Sequence, residues 1–461
     1  MNRYLGDRHF YRKVFAVLLP ILIQNLITNF VSLLDNIMIG QVGTEPMSGV
    51  AIVNQLIFVY NLCAFGGLSG AGILTAQYFG KGDQEGIRLT LRIKLLLSAL
   101  IFLVFGGLLV TFGENMIRLF LHEGNEGLDL TATLFYGKKY LHVMLLQLLP
   151  FIITVLYAST LRETGETVVP MKAGLIAVFV NLVLNYILIF GKFGAPKLGV
   201  VGAAVATVIA RFVEMILVAG WTHHHTERNP FIVGAYKSLK VPHSVLKKVV
   251  LLGLPLLLNE LLWSGGMTVL NQCYSLRGLE VVSAMNISTT VSNLFFSAFI
   301  ATGNATAILV GQLLGAGETE SAVDEDRKLI VFAIVLSFAV GLLVTGSAYV
   351  FPRIYNTTDA VKTLARNLLL IGAAMMPLHA FANSCYFTLR SGGKTLITFA
   401  FDSGSLWLLN IPVAFILSRF TALPILSLYL TVELLNMIKC VFGFVLVRQK
   451  KWVKNLVADT V

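Results

Sequence analysis

Apolar runs of roughly 20 residues, separated by short stretches of charge, Gly, Pro or Asn, recur along the whole chain. They lie near 14–39, 50–79, 95–112, 140–161, 173–190, 199–221, 249–272, 282–312, 329–351, 368–389, 396–418 and 424–447. A helix rises about 1.5 Å per residue, so each run can cross a hydrocarbon core of ~30 Å. Alternating ten-residue patterns of the kind that mark barrel strands do not occur. The pattern therefore predicts an all-α integral membrane protein of twelve transmembrane helices. The first run follows charged residues, lacks a small-residue cleavage site and carries Asp35, so it reads as a retained span rather than a cleaved signal.

The pattern also repeats. A shift of 235 residues superposes the first two spans on the seventh and eighth, pairing Pro20 with Pro255, Gly43 with Gly278, Gln77 with Gln312, Gly80 with Gly315 and Gly82 with Gly317. The string GLLVT at 107–111 recurs at 341–345, and LRETGET at 161–167 recurs as LRSGGKT at 389–395. Two six-helix halves follow. Six is even, so both halves enter the membrane in the same direction and form parallel repeats. The expected organisation is an amino-terminal lobe over 1–221, a cytoplasmic linker over 222–248 and a carboxy-terminal lobe over 249–461, with the substrate path in the cleft between the lobes. The glycines at 80–82 and 315–317 read as helix-ending turns.

Composition places this pattern in lipid. The chain has 461 residues, of which 56% are hydrophobic and only 13% charged. Soluble domains carry about a quarter charged residues. Of the 35 Lys and Arg, 23 fall on one set of loops and tails, beginning with Arg3, Arg8, Arg12 and Lys13. Cytoplasmic loops retain positive charge, so both termini are expected in the cytoplasm of a plasma membrane. The formal net charge of +11 thus has a membrane explanation and calls for no nucleic-acid partner. By this count only Arg211 and Lys439 lie within spans. The four cysteines fall inside spans and read as small buried side chains.

Polar residues inside the spans carry the chemistry, because an ionisable side chain in hydrocarbon is costly and must face a cavity or a partner. Gln24, Thr28, Ser32 and Asp35 share one face of the first helix. Asp35 is suited to take up a proton or, with neighbouring oxygens, to hold Na⁺; the alternative is an acid at the interface that reaches headgroup water. Asn181 and Asn185 sit one turn apart on the fifth span and Thr207 lies on the sixth, as neutral oxygen ligands or as interhelical hydrogen-bonding groups. Glu260, beside Trp263 on the seventh span, suits an organic cation, since a ring face and a carboxylate together favour one; a helix–helix hydrogen bond is the alternative. Asn286, Thr290, Asn293 and Ser297 line one face of the eighth span and read as a wetted wall. Asn54 is assigned to the same cavity, as are His379, Asn383 and Asp402, which with Glu433 serve equally well as packing partners.

Other chemistries find little support. His223, His224 and His225 lie in the linker without nearby Cys or a second ligand group at metal-site spacing, so no metal and no cofactor beyond a coupling ion is expected. No Walker-type phosphate loop occurs, and no nucleophile–base pair points to an enzyme.

Taken in order, LLDNIMIGQVG (33–43), AQYFGKGD, VGQLLGAGE, the LRETGET and LRSGGKT pair, and NLVLNYILIFG followed by LGVVGAAVAT resemble the multidrug and toxic compound extrusion (MATE) transporters over nearly the whole chain. The resemblance implies a two-lobed antiporter, expected as a monomer, that expels cationic or amphipathic organic compounds in exchange for H⁺ or Na⁺ across a bacterial inner membrane, among membrane lipid. It implies a coupling role for Asp35, Asn181 and Thr207, and is closer to the DinF-like than to the NorM-like pattern. One departure stands out: the DinF-like pattern has an Asp where this chain has Asn185. A flippase for lipid-linked oligosaccharide, from the same superfamily, is the alternative; such proteins carry a strongly cationic cavity. Asp35 aligns with Leu270 and Glu260 with Asn25, so neither half repeats the other's acid.

Overall fold

The computed structural model describes residues 4–121, 129–355 and 357–458, apart from the Leu33 side chain; Arg3 lies outside the described residues. Twelve long helices run through it: α1 Arg8–Gly40, α2 Thr44–Lys81, α3 Gln84–Arg118, α4 Leu130–Glu163, α5 Val168–Phe190, α6 Val200–His224, α7 His243–Ser275, α8 Leu279–Gly315, α9 Thr319–Ile354, α10 Asp359–Ser391, α11 Thr395–Phe420 and α12 Ile425–Arg448. Eleven of these are long and apolar enough to cross a membrane, and α7 stands where the seventh span is expected. No strand occurs among the described residues.

Most helices outrun the apolar segments that predict them. The ladder of backbone hydrogen bonds continues into polar ends wherever side chains satisfy the first free amides. Asp7 accepts from Phe10 N at 2.7 Å, Asp83 from Gly86 N at 2.8 Å, and Asp129 from Thr131 N and Ala132 N at 2.9 and 3.0 Å. Two helices are irregular. In α4 a 3-10 turn at Leu145–Gln147 precedes Pro150, whose ring crowds the preceding turn. In α11 two π turns occupy Ala400–Gly404 and Leu406–Asn410, widening the helix where Asp402 projects.

The chain forms two compact units, one of residues 23–75 and 83–250, the other of residues 1–22, 76–82 and 251–461. In the first, Tyr60, Tyr140, Leu148 and Val53 anchor a core shared by α2, α4 and α6. The expected linker is ordered here: α6 continues to His224, and Phe231 and Ala235 are buried while Arg92 on α3 donates to the Ala235 and Gly234 carbonyls at 2.8 and 3.2 Å. His223 meets Tyr157 OH at 2.9 Å. In the second unit, Phe299, Val344, Leu369 and Met376 join α8, α9 and α10.

The repeat is visible in the backbone. Gly82 and Gly317 share φ of +77° and +81°, Gly165 and Gly393 share +87° and +74°, and Gly43 and Gly278 also have positive φ. Such conformations strain any side chain with a Cβ. Gly80 and Gly315 serve differently: a Cβ on either would strike the backbone of Gln312 or Gln77.

Candidate cation and substrate sites

The first-unit site begins with the approach of α5 and α6. Gly202 has no Cβ, and one placed there would lie 2.6 Å from the Leu188 carbonyl, so the two helices touch backbone to backbone. This brings Thr207 to Asn181, with Asn181 Nδ2 and Thr207 Oγ1 3.2 Å apart. One turn along α5, Asn185 donates from Nδ2 to Asp35 Oδ1 at 2.7 Å. Turning the Asn181 amide over satisfies both of its ends: its nitrogen then donates to the two Asp35 oxygens at 3.2 and 3.0 Å, and its oxygen accepts from Thr207. Asn185 is buried, and its Oδ1 accepts no hydrogen bond. A buried acceptor left open beside a carboxylate is an expensive arrangement unless something fills it. Tyr140, within electrostatic reach of Asp35, donates to Asn54 Oδ1 at 3.2 Å.

Elsewhere on the α1 face the residues diverge. Gln24 Oε1 accepts from Arg162 Nη2 at 2.9 Å. Thr28 is exposed, and its carbonyl accepts from Ser32 Oγ at 2.9 Å. Deeper in this unit lies an ion pair absent from the sequence reading: Lys94, fully buried on α3, donates to Glu163 Oε2 at 2.5 Å and to Ser159 and Thr160 at 3.0 Å. The positive-charge count placed Lys94 and Arg162 in loops. The helices reach further than the apolar runs, so both cations stand on helices, and so does the buried Arg390. Lys94 sits just before the 95–112 run and its partner is on another helix; only that proximity to an apolar segment hinted at it.

In the second unit Glu260 on α7 lies within reach of the charges of Arg390 and Asp402. Asn259 donates to Asp402 Oδ2 at 3.1 Å, and Lys439 donates to Asp402 Oδ1 at 2.6 Å. Asn259 also accepts from Ser403 Oγ at 2.7 Å, which fixes the π turns of α11 against α7. Trp263 is 38% exposed. His379 pairs with Glu433 at 2.9 Å, while Asn383 donates to the Phe299 carbonyl at 2.7 Å in a helix–helix contact. Asn286, Thr290 and Asn293 are exposed along α8 and Ser297 is buried.

The profile of the MatE family matches residues 20–187 and 255–416, one stretch in each sequence repeat and together well over half of the chain. The chain belongs to the MatE family. It is similar to a probable multidrug resistance protein NorM of Thermotoga maritima, with 25% identity over 428 residues covering 91% of this chain and 88% of the relative. The multidrug resistance protein MdtK of Pectobacterium atrosepticum is 26% identical over 424 residues, covering 91% and 89%. Among solved structures, an outward-facing multidrug resistance MATE family transporter of the MOP superfamily superposes with a TM-score of 0.86 at 19% identity, covering 97% of both chains. A MOP superfamily transporter from Pyrococcus furiosus, described by a binding pocket of reversed polarity, superposes at 0.83 with 20% identity and 97% of both chains. The fold is thus the two-lobed MATE fold, and this MatE protein is a multi-pass membrane transporter, not an enzyme.

Proposed function

We propose that this MatE protein is a cation-coupled antiporter that exports cationic or amphipathic organic compounds; its NorM and MdtK relatives are named multidrug resistance proteins, which supports drug export. The observation that carries the reading is the Asp35 carboxylate held by Asn185, with the buried Asn185 Oδ1 open beside it. A proton or Na⁺ arriving there neutralises the carboxylate, and Na⁺ in addition finds the open oxygen of Asn185 and, once the Asn181 amide turns back, neutral oxygen from Asn181 beside Thr207. Neutralisation removes the reason for both amides to face Asp35, so α1 and α5 repack. Coupling follows if that repacked state holds substrate less well, because a ligand shifts a two-state equilibrium only by its differential affinity. Alternating access then carries the exchange across a bacterial inner membrane with both termini in the cytoplasm. The exposed amides Asn286 and Asn293 supply a polar surface, and Glu260 in the same unit a carboxylate, for an organic cation, while Asp402 is paired with Lys439.

A lipid-phosphate flippase is less well supported. Lys94, Arg211 and Lys439 each already face a carboxylate, at Glu163, Glu214 and Asp402.

Purified protein in liposomes tests the antiporter directly. A fluorescent organic cation should move when a pH gradient or a Na⁺ gradient is imposed, and D35N should remain in the membrane without moving the dye. Equal transport by D35N would remove Asp35 from the mechanism.

A further inference from the structure

Beyond α12, residues 449–458 stay against the fold. Trp452 and Val457 are each at most 1% exposed, and every contact described next lies within the second compact unit. Gln77, fully buried near the end of α2, uses both ends of its amide on this segment and its neighbour. Its Nε2 donates to the Ser391 carbonyl at 3.1 Å and to the Lys454 carbonyl at 3.2 Å, and its Oε1 accepts from Leu456 N at 2.7 Å. Lys81 Nζ donates to the Val457 carbonyl at 2.8 Å, and Asn455 Nδ2 donates to the Gly315 carbonyl at 3.1 Å. Residues 449–458 therefore tie together the ends of two helices, α2 through Gln77 and Lys81 and α8 through Gly315, while Gln77 itself joins α2 to the end of α10 at Ser391.

The ends so tied are the repeat mates α2 and α8, crossing where Gly80 and Gly315 leave no room for a Cβ. Four of the five hydrogen bonds run from a side chain to a main-chain carbonyl, and the fifth from a main-chain N–H to a side chain. On the α2 side the arrangement thus recognises the main chain of the segment, whereas its hold on α8 is the Asn455 side chain. Gly392 completes the seat, since a Cβ there would strike the Trp452 backbone. The crossing cannot widen while the segment keeps its bonds to both α2 and α8.

We propose that residues 449–458 form a latch on the α2–α8 crossing, released once in each transport cycle, and that Gln77 is the positioning residue that seats it. The proposal rests on the alternating-access reading above. It assigns the rate of opening at this end of the molecule to a segment outside the twelve spans.

The test is a reversible tether. In F79C/A458C, a bis-maleimide with a central disulfide joins the latch to the end of α2, the helix whose Gln77 seats it, and the full-length protein is reconstituted in liposomes with a fluorescent organic cation. The expected result is loss of gradient-driven export on tethering and its recovery on reduction, with equilibrium dye binding retained throughout. Export by the tethered protein at the untethered rate would overturn the latch. Absence of export by wild-type protein in the same liposomes would instead overturn the antiporter reading. A second measurement needs no tether: in Q77M, trypsin should cut at Lys451 and Lys454 faster than in wild type, and an unchanged cleavage rate would remove Gln77 from the latch.

Discussion

Asn185 donates from its amide nitrogen to the Asp35 carboxylate at 2.7 Å, yet the carbonyl oxygen of the same amide, also buried, accepts nothing. These two residues are 150 positions apart in the chain, and their pairing turns a polar stripe on one helix into a candidate ion site.

Replacing Asn185 by Asp puts a second carboxylate at that point. Cation sites gain affinity with ligand charge, so the Na⁺ concentration for half-maximal export should fall by roughly tenfold in N185D. Export assayed over a Na⁺ series at fixed pH checks this. No change, or a loss of Na⁺ response with export intact, would show that Na⁺ does not couple at this site.

Lys94 and Glu163 form a buried pair, and removing one partner takes a close opposite charge from the other. K94M should lower stability by about 3–5 kcal/mol, whereas K94M/E163M should recover most of it. Thermal unfolding in detergent reads both. A K94M protein as stable as wild type would show that the pair is solvated.

Glycines in this fold divide by what surrounds them. A Cβ at Gly80 meets main chain, whereas one at Gly107 meets nothing within 4 Å. G80A should destabilise by about 1–3 kcal/mol through overpacking. G107A, in the interior of α3, should be neutral or stabilise by roughly 0.5–1 kcal/mol. The same melting assay separates them, and equal effects would contradict the close crossing of α2 and α8.

The distribution of Lys and Arg assigns sides to the loops. Phe193, 89% exposed between α5 and α6, belongs to the outer set, and Lys240, before α7, to the inner set. On intact cells a membrane-impermeant maleimide should label F193C and spare K240C, with little background because the four native cysteines are buried. The opposite pattern would invert the topology.

Helix number and repeat were legible because both depend on local chain properties: apolar length sets a span, and a glycine with positive φ leaves its mark at the same place in each half. Asp35 and the α5 amides were legible as polar residues in hydrocarbon, and the family resemblance linked them. Their bonds were not, since α5 reaches α1 only through tertiary packing. Lys94 escaped notice because a helix has no reason to stop where the apolar run does. Gln77 stood out only as one member of an aligned pair with Gln312; its partners are main-chain atoms, which any sequence supplies. For Glu260 and Asp402, spacing gave two acids on different helices, and the cations Arg390 and Lys439 that accompany them became evident only in three dimensions.

The bonds of Gln77 also order events during biosynthesis. Its partners Lys454 and Leu456 follow it by 377 and 379 residues. At ~5–20 residues per second, the ribosome delivers them about 20 to 75 s after α2 has been made. Until then a buried amide at the end of α2 lacks most of its partners, and a chain truncated before residue 454 never acquires them. The last polar contacts of α2, an early helix, thus wait on residues made long after it.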